Sequence, residues 1–424
     1  VANTARGLKS LHITNAWHEE SGGIATYYRA LAAEAKRRGR SLALLVPGAE
    51  DGFVQEGCVR IHTVKAGPSP FNAKYRLIMP NVFPGVNRRV LEILREEDPD
   101  LLETCDKYSL HYLSGLLRKG WLPDYEKRPV LVGLSCERMD DNLAIYLSSS
   151  AWGKAFARWY MKWVYFGFFD HHITVSEYTV EELRLAGRGH VRNRGIWVRG
   201  MGVDLDTFSP AHRKPSIREK HLGLVQGNPN TKLLLYVGRL APEKNLNLLV
   251  ETLALLPSGY RLLMAGDGIC RTALEQTLAR RLPGRAVFLG HCRDRQELAG
   301  IYANADVFVH PNPREPFGIA PLEAMASGLP LVAPNSGGIT TYANTANAWL
   351  ADPQPAAFAA AIRNVMEDSD RDQKVARALL TAQAYQWNSV ASRYLDLYDR
   401  LALGETVESP EYQSTRGNWL GQEV

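Results

Sequence analysis

The residues best suited to chemistry lie in the run Arg314-Glu315-Pro316-Phe317-Gly318-Ile319-Ala320-Pro321-Leu322-Glu323-Ala324-Met325-Ala326-Ser327-Gly328, directly after the strand-like Val309-His310-Pro311. Seven residues separate the carboxylates Glu315 and Glu323, with a Phe-Gly turn between them. Pro321 falls where the first turn of a helix tolerates proline, and Gly328 where a helix C-terminus favours glycine. The pattern predicts Glu315 in a loop over a strand end and Glu323 about one and a half turns into a helix. Backbone N–H groups around Phe317, Gly318 and Ile319 would form an anion site at that helix N-terminus. A loop carboxylate beside such a site suits the hydroxyls of a sugar, and one deeper on the helix suits a ribose diol.

A second run, Gly238-Arg239-Leu240-Ala241-Pro242-Glu243-Lys244-Asn245, follows the apolar Lys232-Leu233-Leu234-Leu235-Tyr236-Val237 and puts two cations five residues apart above a strand end. Arg239 offers a planar fork and Lys244 a point charge, which together would neutralise a diphosphate. A third feature, Ser21-Gly22-Gly23, sits at the first strand–helix turn. Glycines there would let backbone approach a phosphate, although many strand–helix turns contain such a pair.

Positioning these loops requires two sheets. Strands are expected at residues 8–14, 41–46, 59–64, 100–104, 129–134 and 171–175, with helices from the Gly22-Gly23 turn to about 38, at 87–97 and at 110–119. The pattern restarts with strands at 232–237, 261–265, 286–289, 306–310 and 329–333, each followed by helical spacing. Strand–helix alternation of this kind predicts an α/β chain of two doubly wound, Rossmann-like domains. The expected division is 1–203, 204–386 and a C-terminal helix and tail at 387–424 that returns to the first domain, with the boundary in the polar, Pro- and Gly-containing stretch 202–230. Ligands of open α/β sheets sit beyond the carboxyl ends of the strands, so two such domains facing each other would bind substrate in the cleft between them.

Composition excludes several classes. Hydrophobic residues make up 45% and charged residues 22%, which is globular and not disordered or collagen-like. No run of eighteen apolar residues occurs, so no helix is expected to span a membrane. Five well-separated cysteines, with no CxxC and no signal-type leader, predict free thiols and a cytoplasmic protein. The net charge of +5 is uneven: residues 1–200 hold 28 Lys and Arg against 22 Asp and Glu, and the remainder 22 against 23. A basic first half fits a phosphorylated substrate or an anionic membrane surface. Nucleic acid has no recognisable module to bind it. No His/Cys/Asp/Glu set has metal-ligand spacing.

Together with the linker-like Gly202-Val203-Asp204-Leu205-Asp206-Thr207-Phe208-Ser209-Pro210, these motifs resemble a retaining glycosyltransferase of the GT-B fold, family 4, over nearly the whole chain. The resemblance implies that Arg239 and Lys244 hold the donor diphosphate and stabilise the leaving nucleotide. Glu315 would bind donor-sugar hydroxyls, and the N–H groups at Phe317, Gly318 and Ile319 would add sugar and phosphate contacts. Glu323 would bind the ribose, Gly22 and Gly23 would approach the phosphate from the other domain, and the base would lie near His291 and Arg293. It implies transfer with retention by front-face attack, no metal and no cofactor, the nucleotide sugar being the substrate.

The segment Ser135-Cys136-Glu137-Arg138 departs from the family, which usually has a histidine where Cys136 stands; relatives acting on lipid acceptors often carry Ser-His-Glu-Arg. That similarity favours a GDP-mannose donor and a lipid or glycolipid acceptor at the cytoplasmic face of the membrane, within a wider expected range of lipid, glycan or small-molecule acceptors. UDP-glucose with a soluble or polysaccharide acceptor is the competing reading, and a nucleotide-sugar-binding protein without catalysis is the non-enzyme reading. Cys136, Glu137 and Arg138 are acceptor- or sugar-side candidates, and His18 and His111 are expected in loops facing the cleft. His12, His171, His172 and His310 are read as core or edge residues. The basic aromatic run at 152–169 is either a membrane-interface helix or a packed helix with snorkelling cations, and Lys36-Arg37-Arg38-Gly39-Arg40 is either a helix C-terminus or a patch for anionic lipid.

Overall fold

The computed structural model describes residues 7–17, 22–69, 75–79, 87–122, 124–146, 150–188, 195–224 and 228–405. His18, Ser21 and the polar tail with Pro410 and Gly417 lie outside them. The chain forms two compact units, Val1–Gly200 with Asn388–Val424, and Met201–Trp387.

The first unit is built on strands β1 (Ser10–Thr14), β2 (Leu42–Gly48), β3 (Gly52–Glu56), β4 (Val59–Lys65), β7 (Leu101–Cys105), β8 (Val130–Ser135), β9 (His171–Thr174) and β10 (Ile196–Val198); a two-residue pair, β5 (Gly67–Pro68) and β6 (Arg76–Leu77), stands apart. The sheet order is β10-β9-β8-β7-β1-β2-β4-β3. Every pair is parallel except the edge, β3 with β4. The central strands are buried on both faces, so they read as apolar runs; Leu11, Ile13, Ala43, Leu45, Leu102 and Leu131 form one side of the core. Strand β3 is exposed along its whole length and has no hydrophobic alternation by which to recognise it.

A buried polar knot ties the C-terminal helix Trp387–Ala402 into this unit. Glu103, on β7 and fully buried, accepts from the Tyr28 hydroxyl at 2.5 Å, from Tyr27 at 3.4 Å and from Tyr398 on that helix. His12 Nδ1 lies 3.2 Å from the same carboxylate. A carboxylate in such a site is tolerable because both of its oxygens have donors.

The second unit holds β11 (Lys232–Val237), β12 (Tyr260–Ala265), β13 (Ala286–Gly290), β14 (Val307–Val309), β15 (Leu331–Pro334) and β16 (Trp349–Ala351) in the order β13-β12-β11-β14-β15-β16, all parallel. This is the 3-2-1-4-5-6 order of dinucleotide-binding sheets, whose direction of winding reverses between β11 and β14. The stretch read from its polarity as a boundary, 202–230, is largely part of this unit. It contains the helix Pro215–Leu224, and Arg218 pairs with Asp306 at 3.0 Å. Its polarity is that of a surface element. The aromatic run also departs from one continuous helix: an α-helix, Ser150–Tyr160, widens into a π turn, Met161–Tyr165, then a 3-10 turn, Phe166–Phe168. The wider turn lets Met161, Tyr165 and Phe166 all reach the core.

Candidate active site

The reversal point of the second sheet is where the sequence motifs meet. After β11 the chain passes Gly238 and Arg239 into a 3-10 turn, Pro242–Lys244, closed by Asn245 in the left-handed conformation at φ 53°. Asparagine tolerates that geometry better than most side chains. Its amide donates to the Pro311 carbonyl at 3.0 Å, which fastens the loop after β11 to the loop after β14.

Across that junction Lys244 Nζ lies 2.8 Å from Glu315 Oε2 and 3.1 Å from Oε1. Asn312 donates to Oε2 at 3.0 Å, and His310 Nε2 stands 3.4 Å from it. Burial raises the Glu315 pKa, but Lys244 and His310 outweigh it, and the carboxyl is held well below the usual carboxylate range. It is therefore ionised at any working pH.

The loop is braced from behind. Gly338 N–H donates to the Glu315 carbonyl at 2.6 Å, and a Cβ at Gly338 would fall 1.9 Å from the Pro316 carbonyl oxygen, so only glycine fits. Gly318, at φ 89°, caps the helix Ile319–Ala326, and its carbonyl accepts from the Tyr342 hydroxyl at 2.5 Å. Phe317 is buried against Tyr342 and Tyr385. The first N–H groups of this helix have no partners within it, and they open beside Glu315.

Glu323 is the fifth residue of that helix and half-buried. The Tyr302 hydroxyl donates to it at 2.9 Å. Desolvation pushes its pKa up to about 7, with Arg295 and Tyr302 opposing. His291 and Arg293 follow β13 and are exposed. Arg239 does not join Lys244 on one carboxylate; its guanidinium pairs with Glu243 at 2.7 Å.

In the first unit, Gly22 caps and Gly23 opens the helix Gly23–Arg38, with open space around the missing Gly22 Cβ. Cys136 Sγ lies 3.9 Å from Cys105 Sγ, and all five cysteines are free. The Cys136 contact and then burial raise the Cys105 pKa. Glu137 accepts from Asn142 at 2.8 Å, and burial raises its pKa. Arg138 pairs with Asp140 at 2.7 Å and lies over the Tyr178 ring.

His111 is not the loop residue expected. It begins the helix His111–Lys119, is fully buried, and bonds the Tyr160 hydroxyl at 2.5 Å. Burial lowers its pKa to about 4, so it is a neutral packing residue.

Sequence reasoning passed over His310, Asn312, Asn245 and Tyr302. His310 was placed among core residues, although it is the first polar residue beyond an apolar strand, where ligands of such sheets collect. Asn312 left a local signal: its side-chain oxygen accepts from Arg314 N at 3.0 Å while its amide donates to Glu315, an Asn-x-x-Glu pattern. Tyr302 left none, because only folding brings its helix beside Glu323.

The Glycosyltransferase Family 4 sequence model matches residues 21–207, and the Glycosyl transferases group 1 model matches residues 221–379. A GDP-mannose-dependent alpha-(1-6)-phosphatidylinositol dimannoside mannosyltransferase of Mycobacterium tuberculosis is 30% identical over 406 residues, covering 93% of this chain and 97% of its own. A GDP-mannose-dependent alpha-mannosyltransferase of Mycolicibacterium smegmatis is 41% identical over 141 residues, 33% of this chain and 34% of its own. Sucrose-phosphate synthase from Thermosynechococcus elongatus superposes with a TM-score of 0.74 at 20% identity, over 94% of this chain and all of that one (100%). Anabaena HepE in complex with UDP and glucose superposes at 0.68 with 18% identity, over 92% of this chain and 99% of that one.

Proposed function

The chain belongs to glycosyltransferase family 4 and has the GT-B fold, and from that premise we propose that it transfers mannose from GDP-mannose to a hydroxyl of a lipid or glycolipid acceptor, with retention and without a metal. The observation that carries the reading is the Lys244–Glu315 ion pair at the reversal point of the second sheet. Each group neutralises the other across 2.8 Å. A nucleotide diphosphate sugar separates them: Lys244 turns to the diphosphate and Glu315 accepts from the sugar hydroxyls. Arg239 exchanges Glu243 for the same diphosphate, and the N–H groups at Phe317, Gly318 and Ile319 add donors. His291 and Arg293 lie by the base, and Glu323 takes the ribose.

As the bond between the anomeric carbon and the phosphate oxygen breaks, the cations stabilise the charge on the leaving diphosphate. The acceptor oxygen bonds the anomeric carbon on the same face, and its proton passes to the leaving phosphate oxygen. Preorganised cations facing a developing charge are the main source of rate acceleration in most such catalysts. The donor assignment is supported by the similarity to GDP-mannose-dependent relatives over most of the chain.

A thermal-shift series with GDP, UDP, ADP and dTDP tests the base. Ligand at one hundred times its Kd stabilises by about 2.7 kcal/mol, so GDP should raise the melting temperature most. A larger shift with UDP would transfer the reading to a UDP-sugar donor. Binding of GDP-mannose with neither transfer to lipid extracts nor donor hydrolysis would leave a binding protein.

A further inference from the structure

The connection between β8 and β9 carries a helix, Ser150–Tyr160, running into the π turn Met161–Tyr165. Its inner face is well anchored. Ala157, Tyr160 and Met161 belong to the core, the Tyr160 hydroxyl donates to the Lys107 carbonyl at 3.1 Å, and a Cβ at Gly153 would lie 3.0 Å from the Leu143 carbonyl oxygen.

The outer face is unlike ordinary protein surface. Trp152, Phe156, Trp159 and Trp163 are 79%, 48%, 54% and 64% exposed. Their spacing of four, three and four residues puts them in one stripe along the helix. At about 200 Å² per large aromatic, the stripe shows roughly 500 Å² of surface to solvent. Contiguous exposed apolar patches beyond a few hundred Å² mark interaction surfaces.

Charge selects the occupant. Lys154, Arg158 and Lys162 recur every four residues as a second stripe, and no Asp or Glu occurs from residue 142 to residue 169. Lys162 Nζ stands 5.0 Å from the Trp163 ring centroid. A second copy of the chain is a poor partner, because a two-fold contact would bring the cationic stripe against itself. Tryptophan beside lysine and arginine is instead the composition of a helix lying in the headgroup region of a bilayer. Among the described residues no helix is long and apolar enough to cross a membrane, which leaves attachment in the plane of the surface.

We propose that this face seats the protein on an anionic lipid bilayer, with the four aromatic rings in the interface and Lys154, Arg158 and Lys162 against lipid phosphates. The inference is independent of the donor and acceptor assigned above and is tested without either. The full chain is mixed with vesicles of phosphatidylcholine alone and of phosphatidylcholine with about one phosphatidylglycerol in three lipids, which supplies the anionic surface potential that basic segments follow, and the bound fraction is measured by sedimentation. Binding to the anionic vesicles should be at least tenfold tighter and should weaken as salt rises. Trp159→Ser with Trp163→Ser should lower it at least tenfold at low and high salt alike. Lys154→Glu, Arg158→Glu and Lys162→Glu together should lower it at least tenfold at low salt. Unchanged melting curves, and an unchanged shift with the stabilising nucleotide, show that the variants are folded. Equal affinity of all three proteins, no binding to anionic vesicles at low salt, or a dimer that the tryptophan variant dissociates would each overturn the proposal.

Discussion

Two Lys–Glu pairs stand beyond carboxyl ends of strands, one in each unit, and they serve opposite purposes. Lys107, in the loop after β7, meets Glu182 at 2.6 Å with both side chains only 3–4% exposed. Lys107 also donates to the Glu137 carbonyl at 2.5 Å, while the other Glu182 oxygen accepts from Asp140 N at 3.0 Å. Lys244 and Glu315 are a little farther apart, at 2.8 Å, and more open, at 19% and 11%. Beside them lie a helix N-terminus and a glycine-built loop. The same two side chains act as a brace where the fold buries them and gives each carboxylate oxygen a donor, and form the proposed site where they are more open.

The largest expected effect tests the brace. Lys107→Ala leaves Glu182 buried without its cation, and removing one partner of a buried pair typically costs about 3–5 kcal/mol. Urea unfolding measures it, and a loss under about 1 kcal/mol would place the pair among surface ion pairs. The second test is the converse: Lys244→Ala and Arg239→Ala should each lower transfer about 100- to 1,000-fold while moving the unfolding transition less than Lys107→Ala does. Near-normal turnover of either variant would remove it from the diphosphate site.

A third, smaller effect concerns pH. In the proposed ribose role Glu323 accepts from the two hydroxyls as a carboxylate, and with its pKa pushed up to about 7 GDP affinity should fall as pH drops below 7, up to about tenfold per unit. Glu323→Gln should flatten that profile, and a wild-type affinity constant between pH 6 and 8 would contradict the assignment. Stability runs the other way. The folded value lies above the ordinary carboxyl value, so this group's contribution to folding is present below the ordinary value and is lost as pH rises through about 7. Glu315, whose folded value is depressed, contributes stability that is lost only in acid.

The smallest effect is at Cys136. Its thiol rests against Cys105, a thiol is a weak hydrogen-bond partner, and the proposed transfer draws its base from the leaving phosphate. Cys136→Ala should keep the transfer rate within about threefold, under 1 kcal/mol of activation energy. A hundredfold loss with nucleotide affinity intact would make the thiol part of the site.

Much of this was determined by sequence alone. The apolar runs at Lys232–Val237 and Tyr260–Ala265 are strands because a strand covered on both faces has no polar side to show. The stretch from Glu315 to Gly328 placed a loop, a glycine cap and a helix, since proline, glycine and local spacing act within a few residues. Elements without such a pattern were not legible: β3 is exposed on both faces, and β10 and β16 have only three residues each. Tertiary structure alone decided that His111 packs on Tyr160, that Tyr302 meets Glu323 and that Lys244 meets Glu315. It also paired Arg239 with Glu243 and made Trp152, Phe156, Trp159 and Trp163 an outer face. The physical reason is that these outcomes rest on contacts between residues far apart in sequence and on burial, whereas composition and spacing report only the preferences of each local segment.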